Sequence, residues 1–346
     1  MAPTRLVLLF GGRSAEHDVS CVTGAHVLAA ADPDRYDVVP VGITHDGRWV
    51  RAEATPDRLR AEGPEVRPTD LLRVEPGAVA FPLLHGPFGE DGTCQGLLEM
   101  LDVPYVGTGV LGSALCMDKA MAKDAAAAHG LPQVRHLAFR DVDLDADFHG
   151  AMRRAAADLG LPVFVKPANL GSSVGVTRAT DVGELGTAVK LALEFDEWVV
   201  VEEAVTAREI ECGVLGYGRL RASVPGEIRP SHDFYDYDDK YADGAAELLV
   251  PAPLPPEVAD EVRRLALTAA AALRVDGMAR VDFFYEEGGR GLLLNEVNTI
   301  PGFTPISMYP KMWAASGVPY RQLIDELVDA GLARHRNRAE RYGRSR

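Results

Sequence analysis

The sequence predicts an α/β protein of two or three packed domains, and three observations carry that reading. The chain has 346 residues, more than one hydrophobic core usually holds. Its first third alternates apolar strand runs with helical stretches, the pattern of a parallel sheet covered by helices. Near the C-terminus, Ala279 to Tyr285 and Gly291 to Val297 are apolar strand runs joined by EEGGR, which reads as an antiparallel hairpin.

In order along the chain, RLVLLFGGRSAEHDVS gives a buried strand, a break at Gly11-Gly12 and then a helix from Val19 to Ala30. Val38 to Ile43 is a second strand, and Ala78 to Leu84 a third that ends at His85-Gly86. Asp118 caps the helix KAMAKDAAAAH, which Gly130 and Pro132 stop. The runs VRHLAF, PVFVK, WVVVEE and EIECGVLG then read as strands of a compact α+β unit, with a helix from about Asp181 to Phe195. Ser231 to Ala245 is polar, rich in aromatics and without apolar period, a candidate lid. A helix near Glu257 to Leu273 precedes the hairpin, and the arginine-rich end from Arg334 has no apolar face, as expected of a solvated, frayed tail.

Composition excludes several classes. Apolar residues at 47% and charged residues at 25% suit a folded globular chain rather than a disordered or fibrous one. The net charge of −15 opposes non-specific adsorption to nucleic acid or anionic lipid, so a phosphate-bearing ligand must meet local cations. No apolar run is long enough to span a membrane, and the N-terminus reads as a strand rather than a signal peptide. Cys21, Cys94, Cys116 and Cys212 are scattered without metal or disulfide spacing, which fits a reducing cytoplasm.

Strand alternation puts Glu296 and Asn298 on one face, and Arg280 and Asp282 on one face of the preceding strand. Pairing the strands gathers two carboxylates, an amide and a guanidinium, either a hard oxygen site for magnesium or a solvated outer face. In VKPANLGSSVGV, Lys166 ends a strand before a glycine-serine loop, either a phosphate cradle or a plain connector. Lys119 at the capped helix offers a second cation or an ordinary exposed lysine. Glu202, Glu203 and Glu209 sit at strand ends, suited to a ribose or merely solubilising. Glu16 and His17 follow the first glycine turn, where charge caps the helix or recognises a ligand. His85 lies at the ligand edge of an open α/β sheet, in a structural or a functional role.

Together, FGGRSAEHDVS, HGPFGEDGTCQGLLE, MDKAMAK, FVKPANLGSSVGV, FYDYDDKY, ARVDFF and NEVNTIPGFTPIS resemble a D-alanine:D-alanine ligase of the ATP-grasp superfamily, from Leu6 to about Leu327. The resemblance implies a three-domain ATP-grasp fold with an N-terminal parallel, Rossmann-like α/β domain. Its boundaries would be 1–117 for the first D-alanine, 118–216 for the central domain and 217–346 for the C-terminal one. The last would carry the lid at 231–245 and the basic tail at 334–346. It implies ATP-dependent joining of two D-alanines for peptidoglycan synthesis in the cytoplasm, by a homodimer that binds neither nucleic acid nor membrane.

By the same resemblance, Lys119 and Lys166 hold ATP phosphates under the Ser172-Ser173 loop. Glu202, Val205, Glu209, Phe284 and Asn295 hold adenine and ribose. Asp282, Glu296 and Asn298 bind two magnesium ions, with manganese as a substitute. Glu16 meets the ammonium of the first D-alanine and His85 its carboxyl end. Arg280 and the Gly302 N–H form an oxyanion site, while Ser307, Met308 and Lys240 face the second substrate. Met308 stands where many relatives carry leucine. Ser172 and Tyr241 form with Glu16 the hydrogen-bonded chain that locks the lid.

Ligases making D-alanyl-D-lactate resemble the chain elsewhere, but their lid lacks the Lys-Tyr pair or replaces the tyrosine, so Tyr241 favours an amine acceptor. A hydroxy-acid acceptor is the alternative, since one or two contacts shift such a choice. A dehydrogenase is poorly supported because GGRSAEH lacks G-x-G-x-x-G spacing. A non-catalytic nucleotide sensor on the same scaffold is the remote alternative.

Overall fold

A computed structural model describes residues 3–54, 59–72, 78–171, 174–229 and 246–343. The expected lid at 231–245 lies outside the described residues, as do Ser172 and Ser173. Three sheets organise the described chain.

The first has the order β3-β2-β1-β4, from β1 (Thr4–Gly11), β2 (Tyr36–Ile43), β3 (Trp49–Arg51) and β4 (Val79–Pro82). β1 pairs in parallel with both β2 and β4, as the unbroken apolar run at its centre predicts for a strand covered on both faces. The helices of this region are α1 (His17–Ala30), α2 (Pro68–Leu72), α3 (Thr93–Met100) and α4 (Val110–Met117). α5 (Lys119–Ala128) follows directly, its Asp118 carboxylate accepting the Met121 N–H at 3.0 Å as the sequence predicts.

The central sheet has the order β5-β8-β6-β7 and is antiparallel throughout. Its strands are β5 (His136–Arg140), β6 (Val163–Pro167), β7 (Thr177–Ala179) and β8 (Trp198–Glu203). One face is covered by α6 (Asp141–Leu144), α7 (Phe148–Leu159) and α8 (Val182–Ala192), so that Val163, Val165, Leu185 and Val201 share a core of their own.

The third sheet has the path β12-β11-β9-β13-β14, with β10 (Arg221–Ala222) also on β9. Its members are β9 (Arg208–Gly216), β11 (Gly226–Arg229), β12 (Glu247–Leu249), β13 (Gly277–Glu286) and β14 (Gly291–Asn298). The sequence reading places the β9 run in the central unit, yet β9 pairs with β13 from Arg208↔Tyr285 to Gly216↔Gly277. The reason is burial on both faces. Ile210, Cys212 and Val214 join Val281 and Leu294 under α9 (Pro256–Ala272), a core the central sheet does not offer.

α10 (Met308–Ala315) and α11 (Tyr320–Gly343) complete the chain. Through them the first and third sheets share a core, in which Leu6, Val27 and Phe81 meet Leu215, Met278, Trp313 and Leu327. The central sheet sits apart from that block and is anchored to β14 at its base. There Leu294 donates to the Pro132 carbonyl at 2.7 Å, and Arg290 in the hairpin turn pairs with Glu203 at 2.6 Å.

The basic end is not a frayed tail over its described length. It continues α11 across the first domain, where Arg334 is 3% exposed. Its guanidinium lies 4.1 Å from the Tyr105 ring centroid and donates to the carbonyls of Tyr105 and Gly107. Arg338 pairs with Glu99 and His335 with Asp102. Gly331 allows this approach, since a side chain there would meet the Tyr105 carbonyl at 2.5 Å. Arg334→Ala leaves two buried carbonyls without their donor and is expected to destabilise the fold by about 2–4 kcal/mol. Chemical denaturation measures this, and a change within about 0.5 kcal/mol would remove Arg334 as a clamp.

Candidate active site

The site is one trench with two arms that meet at Lys119, Arg280 and Glu296. One arm runs between the central and third sheets and is lined by Lys166, Glu202, Val205, Glu209, Asp282, Phe284 and Asn295. The other runs toward the first sheet and is lined by Glu16, His85, Asn298, Gly302, Ser307 and Met308. Apart from His17, which lines a separate cleft, every described residue that the sequence singles out for catalysis or binding lines the trench. Ser172, Ser173, Lys240 and Tyr241 lie outside the described residues.

Strand register builds the floor. Asp282 stands opposite Glu296 on one side and Glu211 on the other, which aligns three carboxylates across β9, β13 and β14. Arg280, two residues along, stands opposite Asn298 and offsets that charge. Its Nε and Nη2 bond the Asp282 carboxylate at 2.8 and 2.7 Å, and Nε lies 3.1 Å from Glu211. Burial opposes a charge on Arg280, but Asp282 and Glu211 outweigh it and raise its pKa well above the ordinary value. The Asn298 amide is oriented by the Ile300 N–H, which donates to its Oδ1 at 3.0 Å.

A β-bulge between Asp282 and Phe283 leaves Asn295 without an opposite partner. Adjacent strand residues normally face opposite sides, yet Asn295 and Glu296 both line the arm between the central and third sheets.

Above the floor stands a buried cluster of cations. The Glu202 carboxylate lies 2.7 Å from Lys166 Nζ and 2.9 Å from Lys123 Nζ, with Glu202 2% and Lys123 3% exposed. Of the two sequence readings of Glu202 and Glu203, burial rules out the merely solubilising strand end. β8 is an inner strand covered by α5, and Glu203 is held by Arg135 and Arg290. Burial would raise the Glu202 pKa, but Lys123 and then Lys166 outweigh it and hold it far below the carboxylate range. Burial likewise opposes a charge on Lys166, which Glu202 overcomes, so its pKa is raised. Lys119, whose Nζ donates to the Leu170 carbonyl, has its pKa lowered by burial despite Glu296.

At the far arm, serines tie the first glycine turn to β4 and the loop after it. Ser20 Oγ donates to the Leu83 carbonyl at 2.6 Å and accepts the Gly11 N–H, while Ser14 Oγ donates to the His85 carbonyl at 2.7 Å. This places the Glu16 carboxylate between Gly86 and Gly171, where a side chain at either would approach Oε2 to 2.9 or 3.0 Å. His85 is 5% exposed, with Nε2 3.2 Å from Thr23 Oγ1 and Nδ1 3.4 Å from Glu90. Burial disfavours a charged His85, but Glu90 and Glu16 outweigh it and raise its pKa. In the same arm, Ser307 Oγ accepts the Thr304 N–H at 3.0 Å.

Lys123, Glu211, Glu90 and Thr23 are the contributors that sequence reading missed. Lys123 had a signal in its i,i+4 spacing from Lys119 on a capped helix. Glu211 alternates with Glu209 along β9 and was visible only once β9 was placed against β13.

Because its folded pKa is depressed, Glu202 stabilises the fold above the usual carboxylate range. That contribution is lost as pH falls through this range toward the depressed value. Lys123→Met leaves only Lys166 beside Glu202, so acid unfolding is expected to move up by about half to one pH unit. An unchanged midpoint would show that Lys166 alone holds the carboxylate.

Comparison with known proteins agrees with this geometry. Residues 5–108 match the family described as D-ala D-ala ligase N-terminus, and residues 126–329 match D-ala D-ala ligase C-terminus. The chain is 47% identical to the D-alanine--D-alanine ligase of Mycobacterium sp. (strain KMS), over 96% of this chain and 97% of that protein. It is 42% identical to that of Caldicellulosiruptor bescii, over 98% of each. Among solved structures, the D-alanine-D-alanine ligase from Coxiella burnetii is similar with a TM-score of 0.81 at 32% identity, over 98% of this chain and 97% of that one. VanG D-Ala:D-Ser ligase from Enterococcus faecalis is similar with a TM-score of 0.83 at 33% identity, over 95% and 99%. The carboxylate row, the buried cations and full-length similarity to these proteins lead to one assignment: the chain belongs to the D-alanine--D-alanine ligase family and has its ATP-grasp fold.

Proposed function

We propose that the chain joins two D-alanines to D-alanyl-D-alanine at the expense of ATP, through a D-alanyl phosphate, for peptidoglycan synthesis. The observation that supports this reading is the junction at Lys119, Arg280 and Glu296, where an arm lined by Lys166 and Glu202 and an arm lined by Glu16 and His85 share one charged floor.

The chemistry follows from the leaving group. An amine does not displace oxide from a carboxylate at useful rates, so one carboxylate oxygen of the first D-alanine attacks the γ-phosphorus and ADP leaves. Glu16 receives the ammonium of that D-alanine, and His85, held by Glu90 and Thr23, stands at its carboxyl end. Lys166 and Lys119 meet the phosphates, with Glu202, Val205, Glu209, Phe284 and Asn295 around adenine and ribose. The amine of the second D-alanine attacks the acyl carbon, and Arg280 with the Gly302 N–H stabilises the oxyanion before phosphate departs. Ser307 and Met308 line the acceptor arm, joined by Lys240. Ser172, Ser173 and Tyr241 close over the reactants with Glu16 and exclude water, which would hydrolyse the acyl phosphate.

Asp282, Glu296 and Asn298 offer the hard oxygen donors that magnesium or manganese prefers, and Glu211 in the same row adds a fourth. Two such ions, when bound, neutralise charge on the phosphates during transfer. ATP use favours the cytoplasm for this reaction, and the family resemblance favours a homodimer. No described helix is long and apolar enough to cross a membrane.

A second reading concerns the acceptor. The likeness to a protein described as a D-Ala:D-Ser ligase keeps D-serine in view, and D-lactate remains the hydroxy-acid alternative. The test supplies ATP and magnesium with D-alanine alone, with added D-lactate and with added D-serine, and resolves the products by mass. Dominant D-alanyl-D-alanine is expected in all three, with turnover about a thousandfold lower in Glu296→Gln. Dominant D-alanyl-D-lactate or D-alanyl-D-serine would overturn the acceptor assignment, and normal turnover in Glu296→Gln would overturn the metal site.

A further inference from the structure

A second group of ligating side chains lies outside the trench. His17, Asp18 and His45 each present one ligand-type atom, and these atoms lie within 4.8 Å of one another. They line an open cleft that shares no residue with the trench, although His17 is next to Glu16 in the chain.

Two rigid segments hold the group. His17 opens α1, and His45 lies in the turn after β2, where the Thr44 N–H donates to the Arg48 carbonyl, the Gly47 N–H donates to the Thr44 carbonyl and the Arg48 N–H donates to Thr44 Oγ1. The Gly12 N–H donates to the Ile43 carbonyl at 2.7 Å and joins the segments beside the cluster. His17 Nδ1 lies 2.7 Å from the Gly12 carbonyl. A carbonyl only accepts, so Nδ1 carries the proton and Nε2 carries the lone pair. A backbone carbonyl on the other ring nitrogen is the arrangement that orients metal-binding histidines. The His45 ring stacks on His17 with centroids 3.8 Å apart and planes 23° apart. A metal lies in the plane of each imidazole that binds it, so His45 rotates out of this stack to share an ion with His17; His45 and Asp18 are exposed, and both can turn toward one point without repacking the core. The nearby cation Arg48 is held by Asp46 at 2.8 Å.

We propose that His17, Asp18 and His45 bind one late first-row divalent cation of the zinc type. Two imidazole nitrogens and one carboxylate oxygen supply three positions of a tetrahedral site, and water supplies the fourth. Imidazole selects such ions over magnesium, whereas the trench floor offers oxygen donors only, so the two sites differ in the metal they take. An ion here ties the turn after β2 to the first turn of α1, beside Glu16.

The test is a Zn²⁺ titration by calorimetry in excess magnesium, on the full chain and on His45→Ala and Asp18→Asn, both exposed positions that line no part of the trench. One site with Kd of about 10 µM or tighter is expected in the unaltered chain, weakened at least about tenfold in each variant. Cobalt(II) should give the intense visible bands of tetrahedral coordination in the unaltered chain and lose them in His45→Ala. Absence of binding up to about 100 µM Zn²⁺, or equal binding by the variants, would overturn the site.

Discussion

The cost of holding like charges together shapes this molecule more than any other constraint. Glu211, Asp282 and Glu296 stand in register across three strands, and on their own they would repel one another and resist burial. Arg280 makes the row tenable by bonding Asp282 through two nitrogens while reaching Glu211. Across the trench the inverse problem recurs, with Lys123 and Lys166 gathered on one Glu202. Both clusters line the same arm of the trench, through Lys166 and Glu202 on one wall and Glu211, Arg280, Asp282 and Glu296 on the floor. On the proposed function, a polyanionic nucleotide with divalent cations would meet both.

The two clusters sit on separately packed parts of the fold. The first and third sheets are fused through one core under α10 and α11, and Arg334 fastens the end of α11 to the carbonyls of Tyr105 and Gly107. The amino-acid arm lies along this fused block. The central sheet has its own core and touches the block mainly at its base, through Leu294 to Pro132 and Arg290 to Glu203. A cleft flanked by the floor of one block and a separately packed wall has the build of one that closes on its ligand.

Much of this was legible in the sequence because the relevant signals are local. Alternation and the EEGGR turn set the hairpin, and the register then follows, so Arg280, Asp282, Glu296 and Asn298 could be grouped before any coordinates. The cap at Asp118 and the runs of β1 and β8 were equally direct. What sequence reading missed depends on partners distant in the chain. Glu202 looks like a solvated strand end until β8 is known to be an inner strand with Lys123 above it. Arg334 looks like a tail residue because its partners are backbone carbonyls and a ring 229 positions away, invisible to any pattern of side chains. Asn295 was reached only through family resemblance, since alternation sends it away from Glu296 and the bulge that reverses this leaves no mark in the sequence.

The claim at the centre is that the two arms work on one intermediate, an acyl phosphate formed and consumed over the shared floor. Its most direct test is turnover of D-alanine labelled with ¹⁸O in both carboxylate oxygens, with mass analysis of the phosphate released. If the carboxylate attacks the γ-phosphorus and the acyl carbon–oxygen bond then breaks, each phosphate carries one ¹⁸O for each dipeptide made. Unlabelled phosphate, or label appearing in AMP, would contradict the account.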